Sequence, residues 1–334
     1  MPTQSIPNLN TLRRGRGVTR GGLLSRANQG DKDATIRATD DDAASSRMSA
    51  VEAGYLNDPF AKYLAPENWQ RRLPLMNRVD TFLSSSPERK QIVSLGAGSD
   101  TRYLRLKLAG KHNNFVYHEV DFQQNNSSKI ERLRDSQCVE EVRNLCDIDL
   151  EEASIGEGEL ELAEYAIHAA DLRKLPERLV WLDDTLPTLL ISECCLIYLS
   201  PDQADHVLDY FSNMLGSVPL AVVIYEPFRP NDPFGRTMIR NLTTRGIVLQ
   251  TIEKYFDLDK QRQRLHDHNL EARALDTNEL WQHWASQEEK DRIERLEWMD
   301  EIEEFVLLAK HYCIAWGWRQ FPDPTVWHML PGPA

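Results

Sequence analysis

The 334-residue sequence lacks any apolar run that approaches the roughly 20 residues needed for a membrane-spanning helix. Its N-terminus has no hydrophobic core of the kind found in secretory signals. The five cysteines are odd in number and none has C-x-x-C spacing, which argues against a disulfide framework and a zinc site. We therefore expect a cytoplasmic protein with reduced thiols and no membrane partner.

Basic residues are fewer than acidic ones. Lys and Arg total 39 against 52 Asp and Glu, which gives a formal net charge of −13. Such a charge argues against nucleic acid as a partner, because nucleic-acid phosphates require a basic surface. The nine histidines show no convincing ligand spacing, so we expect no metal.

What the sequence does contain is a strand, turn and helix pattern over residues 91–104. Gly96 and Gly98 allow tight backbone turns and the close approach of a ligand, and Ser99 can cap the next helix. Asp121 closes the following apolar run, at roughly the 20-residue offset where a carboxylate can bind two ribose hydroxyls. The pattern predicts a nucleotide-cofactor site, with an ordinary strand-to-helix turn as the alternative.

A third glycine is absent from this loop. In G-x-G-x-x-G the third glycine packs helix against strand beside a pyrophosphate, whereas here Thr101 holds that place. Asp100 adds negative charge near the helix start, which further disfavours a pyrophosphate. We therefore predict S-adenosylmethionine, which has no phosphate, as the cofactor. A nicotinamide-dependent oxidoreductase is the alternative.

The order of elements beyond Asp121 alternates strand and helix, which predicts an α/β fold with a mostly parallel sheet and helices on both faces. Predicted strands cover 165–169, 188–193 and 220–225, and the apolar run 307–316 is a candidate last strand. An amphipathic helix or helix pair is predicted at 286–306. We expect a disordered Arg/Gly-rich tail at 1–38, one domain at 39–318 that begins with a helix at Thr39, and a C-terminal tail at 319–334.

Several separate motifs, in one order, make the sequence similar to the leucine carboxyl methyltransferases, which methylate the C-terminal leucine of type 2A protein phosphatase catalytic subunits. The resemblance covers about residues 39–317. It rests on Asp41-Asp-Ala with Arg47 and Gly54-Tyr55, Val93-Ser-Leu-Gly-Ala-Gly-Ser-Asp100, Glu119-Val-Asp-Phe122, Ala170-Asp-Leu172, Pro187-Thr-Leu-Leu-Ile-Ser-Glu-Cys194 with Tyr198, Asn231-Asp-Pro-Phe-Gly235, and Leu296-Glu-Trp-Met-Asp-Glu301 with His311-Tyr-Cys313.

The resemblance implies a Rossmann-like class I S-adenosylmethionine-dependent methyltransferase with a seven-stranded sheet. It implies that Asp121 binds the ribose, Asp171 faces the adenine amino group, and Leu172 packs on the ring. Glu193 would lie near the cationic part of the cofactor, and Arg47 would contact its methionine end. For Asp171 the alternative is a helix cap. For Glu193 it is a buried structural carboxylate.

The acceptor side is less well defined. Tyr198 is a candidate substrate contact, with packing as the alternative, and the family places acceptor surface on insertions, here 39–84 and 228–285. One departure stands out, because Pro74-Leu-Met-Asn77 is followed at once by Arg78 and about a dozen family positions are missing. Arg78 could be a remnant of the arginine that pairs with the cofactor carboxylate. Losing that arginine would weaken cofactor binding by roughly 2–5 kcal/mol.

Three functions follow from the resemblance. The first is methyl transfer to the phosphatase leucine carboxylate by a monomeric enzyme. The second is a catalytically impaired member that binds cofactor or phosphatase without methyl transfer. The third is methylation of another carboxylate, as in the wybutosine-forming enzymes of transfer RNA, which carry a large additional C-terminal domain.

Overall fold

A nine-stranded sheet organises the chain in the computed structural model, which describes residues 29–65, 79–110, 114–296 and 302–328. Its strands are β1 Lys90–Leu95, β2 Phe115–Asp121, β3 Ser154–Gly156, β4 Glu159–Glu161, β5 Tyr165–Ala169, β6 Thr188–Glu193, β7 Leu220–Pro227, β8 Glu271–Asp276 and β9 Tyr312–Arg319.

Helices surround this sheet. Within the described ranges they are α1 Gln29–Arg37, α2 Thr39–Glu52, α3 Ala61–Leu64, α4 Val79–Ser84, α5 Arg102–Ala109, α6 Gln123–Leu133, α7 Ser136–Cys146, α8 Pro201–Met214, α9 Pro233–Thr244, α10 Leu258–Asp267, α11 Thr277–Trp284, α12 Gln287–Glu294, α13 Ile302–Ala309 and α14 Thr325–His328. Short 3-10 turns cover Leu150–Glu152, Leu172–Lys174 and Leu196–Tyr198.

The strands lie in the order β3-β4-β5-β2-β1-β6-β7-β9-β8. Strands β5, β2, β1, β6 and β7 pair in parallel, whereas β9 is antiparallel to both of its neighbours, β7 and β8. The hairpin β3–β4 adds two short antiparallel strands beside β5. Without this hairpin the sheet has the seven strands that were expected. The mostly parallel fold is therefore confirmed, and the hairpin is an addition that the sequence did not reveal.

The central strands are buried on both faces, because helices cover the two sides of a parallel sheet. All six residues of β1 are buried. Ile92 packs into one hydrophobic core and its neighbour Val93 into a second core on the other face. The near-continuous apolar runs that predicted β1, β5, β6 and β7 reflect this double burial, and the predicted ranges agree with these strands.

The chain N-terminal to the sheet departs from the expected tail. Helix α2 begins at Thr39 as predicted, but α1 precedes it, inside the segment that was expected to be a disordered tail. Asp33 of α1 forms an ion pair at 2.7 Å with Arg173, which lies in the 3-10 turn after β5. This ion pair attaches α1 to the sheet. The tail prediction is therefore wrong for residues 29–37, and residues 1–28 lie outside the described ranges.

The C-terminal part also differs from expectation. The apolar run 307–316 is divided between the end of α13 and the start of β9, because an apolar run alone does not distinguish helix from strand. The predicted helix at 286–306 corresponds to α12 and the first part of α13, with residues 297–301 outside the description. The tail predicted from 319 onward is wrong for residues 319–328, where Arg319 ends β9 and Trp327 is fully buried.

None of the helices in the described parts of the chain combines the length and the apolar character needed to cross a bilayer.

Trp327 provides a test of whether the C-terminal segment belongs to the core. Its ring stacks on Trp318 and packs against Phe321, and its backbone carbonyl accepts a hydrogen bond from the Trp316 indole at 3.0 Å. We expect Trp327→Ala to lower the free energy of unfolding by about 3–5 kcal/mol, the usual loss for a buried tryptophan. Urea denaturation measures this change. The exposed Thr325→Ala, in the same short helix, should stay within about 0.5 kcal/mol of the unmodified chain. Equal, small effects of both substitutions would contradict the packing.

Candidate cofactor site

The predicted glycine loop connects β1 to α5 at the carboxyl end of the sheet. Gly96 and Gly98 have φ values of +61° and +45°, a left-handed conformation that favours glycine. β1 lies between β2 and β6, so the strand order reverses beside this loop, which is where open α/β sheets bind ligands. Ser99 does not cap α5 as expected, because the N-cap position is Thr101. The Ser99 hydroxyl instead donates to Asp40 at 2.8 Å.

Asp121 lies beside this loop, at the end of β2. Its Oδ2 accepts a hydrogen bond from the Gly98 N–H at 2.7 Å, and its Oδ1 accepts one from the Phe122 N–H at 2.6 Å. The side chain is buried, with 8% of the residue exposed. Burial raises the pKa of the Asp121 carboxyl to about 6, and the nearby Asp40 charge adds to the rise. The two backbone donors oppose it.

A charged network lies behind the loop. Arg102 joins Asp100 to Glu193, with 2.6 Å separating its guanidinium from each carboxylate. Burial alone would raise the pKa of Asp100, but Arg102 and neighbouring cations hold it well below its usual range. Because Asp100 is buried and paired with Arg102, its charge is largely compensated, which weakens the argument that it repels a pyrophosphate. Glu193 is 47% exposed, so its reading as a buried carboxylate is wrong.

Asp171 and Leu172 follow β5, on the other side of β2. The Asp171 carboxylate caps the 3-10 turn at Leu172–Lys174, where its Oδ1 accepts hydrogen bonds from the Arg173 backbone N–H at 3.0 Å and side chain at 2.7 Å. Leu172 is buried. The cap that was the alternative reading of Asp171 is therefore present. The Arg173 guanidinium also lies 5.5 Å from the centre of the Phe122 ring.

Arg47 lies on α2, and Tyr198 lies on the turn after β6. The Arg47 guanidinium on α2 donates to the Ser99 carbonyl at 2.6 Å, so this helix arginine contacts the glycine loop. Tyr198 ends the 3-10 turn after β6 and packs beside Ile197 and Ile247. Burial raises the pKa of the Tyr198 hydroxyl, so it remains a neutral hydrogen-bond donor at physiological pH. Arg78 lies outside the described residues.

The atoms that approach the two glycines are the protein's own. A methyl group on Gly96 would lie 2.7 Å from the Cys195 sulfur, and one on Gly98 would collide with the Asp40 carboxylate. Cys194 and Cys195 follow the predicted strand 188–193. They form the turn after β6, where Cys194 has a φ of 47°. Sequence reasoning missed Asp40, Arg102 and Arg173 as members of the site.

A polar cavity of about 270 Å³ opens beside this contact. It lies between the N-terminal helices and α6, and its lining includes Arg37, Asp40, Asp41, Ser99, Lys129 and Arg132. In the described part of the chain, no group of three His, Cys, Asp or Glu side chains is arranged to hold a metal ion.

The chemistry of the donor set fits S-adenosylmethionine. Carboxylates at Asp121 and Asp171 suit a ribose diol and an exocyclic amine, and Arg47 with the Ser99 N–H suits a carboxylate. In this arrangement, however, the Asp40 side chain fills the space beside Gly98, so that side chain must move for a ligand to reach the loop there.

The sheet order, the glycine loop after β1 and the acid at the end of β2 define a class I S-adenosylmethionine-dependent methyltransferase. The chain belongs to the leucine carboxyl methyltransferase family, whose sequence model matches residues 69–212. Leucine carboxyl methyltransferase 1 of Emericella nidulans is 45% identical, with 99% of each chain covered. Leucine carboxyl methyltransferase 1 of Rattus norvegicus is 33% identical over 86% of this chain and 90% of its own length. The family resemblance is confirmed, and the nicotinamide alternative is wrong.

The extent of the alignments bears on the alternatives. The alignment with the Emericella nidulans protein runs over 381 residues, which exceeds the 334 of this chain, so the relative contains residues without a counterpart here. The tRNA wybutosine-synthesizing protein 4 of Rattus norvegicus is 34% identical over 84% of this chain, but only 43% of that protein is matched. A putative methyltransferase structure from Thermobifida fusca has a TM-score of 0.46 at 14% identity, covering 85% of this chain and 88% of that chain, so the assignment rests on the sequence relatives.

The burial of Asp121 predicts a pH-dependent contribution to stability. Its pKa is about 6 in the folded chain and near the ordinary 3.8 when unfolded. Below pH 4 both states hold the proton. From about pH 4 to 6 the unfolded carboxyl ionises while the folded carboxyl retains its proton, so the stability of the unmodified chain falls until the folded carboxyl also ionises near pH 6. An amide in place of the Asp121 carboxyl would not titrate. We therefore expect the free energy of unfolding of Asp121→Asn, relative to the unmodified chain, to rise by up to about 3 kcal/mol between pH 4 and 7.

Urea denaturation at several pH values measures this difference. The control is Asp184→Asn, since Asp184 is 42% exposed and its charge stays in contact with water. We expect no comparable trend for this variant. A flat difference for Asp121→Asn across the same range would contradict the buried, desolvated state of Asp121.

Proposed function

We propose that this enzyme transfers the methyl group of S-adenosylmethionine to the C-terminal leucine carboxylate of the type 2A protein phosphatase catalytic subunit, forming a methyl ester. The observation that carries the proposal is the junction of Asp121 with the Gly98 N–H at the reversal point of the sheet, in a chain of the leucine carboxyl methyltransferase family. At this junction an acid suited to binding ribose hydroxyls lies beside a glycine loop that lacks the third glycine of a pyrophosphate site.

The residues proposed to hold the cofactor surround that junction. Asp121 would accept hydrogen bonds from the ribose hydroxyls, and Asp171 with Leu172 would receive the adenine ring. At the other end, Arg47 would pair with the amino-acid carboxylate, and Glu193 would lie near the cationic groups. These positions support the proposal because Asp121, Asp171 and Glu193 lie at or just after the carboxyl ends of parallel strands. The strands β5 and β6 that lead to Asp171 and Glu193 flank the central pair β2 and β1.

The chemistry requires little from the protein beyond positioning. The cofactor, when bound, supplies an electrophilic methyl group. The acceptor α-carboxyl titrates near about 3.5, so it is already ionised at neutral pH and no general base is required. The role of the chain is to hold the acceptor oxygen in line, exclude water and orient the carboxylate with polar donors. The neutral Tyr198 hydroxyl is suited to such a contact.

The acceptor surface is proposed to include the part of the expected insertion at 228–285 that lies outside β8, because β8 belongs to the sheet. Its segment 247–252 packs on the turn that carries Tyr198, where the Gln250 N–H donates to the Ile197 carbonyl at 2.8 Å. Val248 in this segment is 58% exposed. An exposed apolar side chain near the candidate substrate residue is consistent with recognition of an apolar leucine.

A second candidate is an impaired family member that binds cofactor or phosphatase without methyl transfer. Two observations favour it: Asp40 fills the space beside Gly98, and the chain lacks residues that its close relative contains. If the arginine that follows Asn77 in the family has no equivalent here, the cofactor carboxylate would lose a bidentate partner.

The deciding experiment uses the purified chain, radiolabelled S-adenosylmethionine and the phosphatase catalytic subunit. We expect base-labile label on the intact subunit and none on a subunit that lacks its C-terminal leucine. Asp121→Ala should reduce kcat/KM by about 100-fold or more, because two charge-assisted hydrogen bonds to the cofactor would be lost. The exposed Asp184→Asn is the matched control and should retain activity.

Each other outcome selects a different function. Binding of S-adenosylhomocysteine without label on the phosphatase would select the impaired member. Label on transfer RNA but not on the phosphatase would select the wybutosine type of reaction. Full activity of Asp121→Ala would contradict the proposed cofactor site.

A further inference from the structure

The contact between Asp40 and the glycine loop resembles the binding of a ligand. Asp40 lies in the first turn of α2. Its Oδ1 accepts hydrogen bonds from the Ser99 backbone N–H at 2.7 Å and from the Ser99 hydroxyl at 2.8 Å. Gly98 leaves the room for this approach, because a side chain at that position would overlap the carboxylate. The donors of the loop are therefore satisfied by an acid of the same chain.

The charges around the loop oppose the binding of the Asp40 carboxylate there. Asp121 lies on the same loop through the Gly98 N–H, and its pKa is raised in part by the Asp40 charge, so two carboxylates of like sign share the site. The Arg47 guanidinium lies beside this contact, because it donates to the Ser99 carbonyl. An incoming carboxylate could use the same two donors and the same guanidinium.

The preceding helix, α1, also contributes an acid to the site, here as an ion pair. Asp33 of α1 forms two hydrogen bonds with the Arg173 guanidinium, at 2.7 and 2.8 Å, and Arg173 in turn binds Asp171. The helices α1 and α2 are consecutive, with Ala38 between them. The N-terminal helices therefore place one acid near Asp171 and another on the loop at Ser99.

We propose that Asp40 is an intramolecular competitor that occupies the carboxylate subsite of the glycine loop, so that the amino-acid carboxylate of the cofactor must displace it before binding. The inference rests on the proposed cofactor and deepens the assignment of that site. It makes Asp40 a determinant of cofactor affinity. It requires that removing the Asp40 carboxylate strengthens binding, the opposite of what the loss of a cofactor contact would do.

The test is a calorimetric titration of the full chain with S-adenosylhomocysteine, which keeps the amino-acid carboxylate. We expect Asp40→Ala to lower the dissociation constant by about tenfold, in line with the loss of a competing charge-assisted interaction, and Asp40→Asn to lower it less. Asp42→Asn is the matched control on the same helix, because Asp42 pairs with Arg245 away from the loop. Its dissociation constant should remain within about twofold of the unmodified value.

A measurement without ligand accompanies the titration. In amide hydrogen exchange, residues 96–101 should exchange faster in Asp40→Ala than in the unmodified chain or Asp42→Asn, because the Ser99 N–H loses its acceptor. Unchanged exchange would overturn the inference. Equal or weaker binding by Asp40→Ala would overturn the inference alone. Absence of binding in every variant would overturn both the inference and the proposed cofactor.

Discussion

The hydrogen bond from the Gly98 N–H to Asp121 is the constraint on which the site depends. The parallel pairing of β1 and β2 continues through Gly96, whose N–H donates to the Val120 carbonyl at 2.8 Å. The chain then turns, and Gly98 directs its N–H to the carboxylate at the end of the neighbouring strand. Burial of that carboxylate is unfavourable for its charged form, and the backbone donors offset part of this cost. The loop is thus held to the sheet by the acid that the cofactor would share.

A second layer of charges supports this junction. Arg102 connects the loop with the end of β6 through Asp100 and Glu193, and Lys129 on α6 binds both the Asp100 carbonyl and Glu119 of β2. Burial raises the pKa of Glu119 to about 7, although Lys129 opposes the rise. Removing one partner from such a buried pair leaves the other charge uncompensated, which is usually more destabilising than the pair is stabilising. The loop is therefore fixed to β2, β6 and α6 by charged groups in addition to the Asp121 hydrogen bond.

The sequence predicted the features that local patterns encode. Apolar runs located β1, β2, β5, β6 and β7, and the offset of Asp121 from the glycines predicted an acid beside the loop. The missed contacts join distant residues: Asp40 and Ser99 are 59 positions apart, and Arg173 and Asp33 are 140 apart. No periodicity indicates which of the many surface acids will pack on a given donor. The identity of Asp100 suggested a charge at the ligand side, but only tertiary structure shows that it is buried and paired with Arg102.

Two features of this chain would lower cofactor affinity by different physical routes. An acid on the loop satisfies buried donors without ligand, so it stabilises the unliganded arrangement and reduces the fraction of molecules with an open site; the apparent dissociation constant rises by the inverse of that fraction. A missing arginine after Asn77 would instead remove a contact from the bound state and leave the open fraction unchanged. Because the two effects multiply, a chain with both features can retain every residue around Asp121 and still bind weakly. The arrangement of the residues around Asp121 therefore does not by itself determine how tightly this enzyme binds its cofactor.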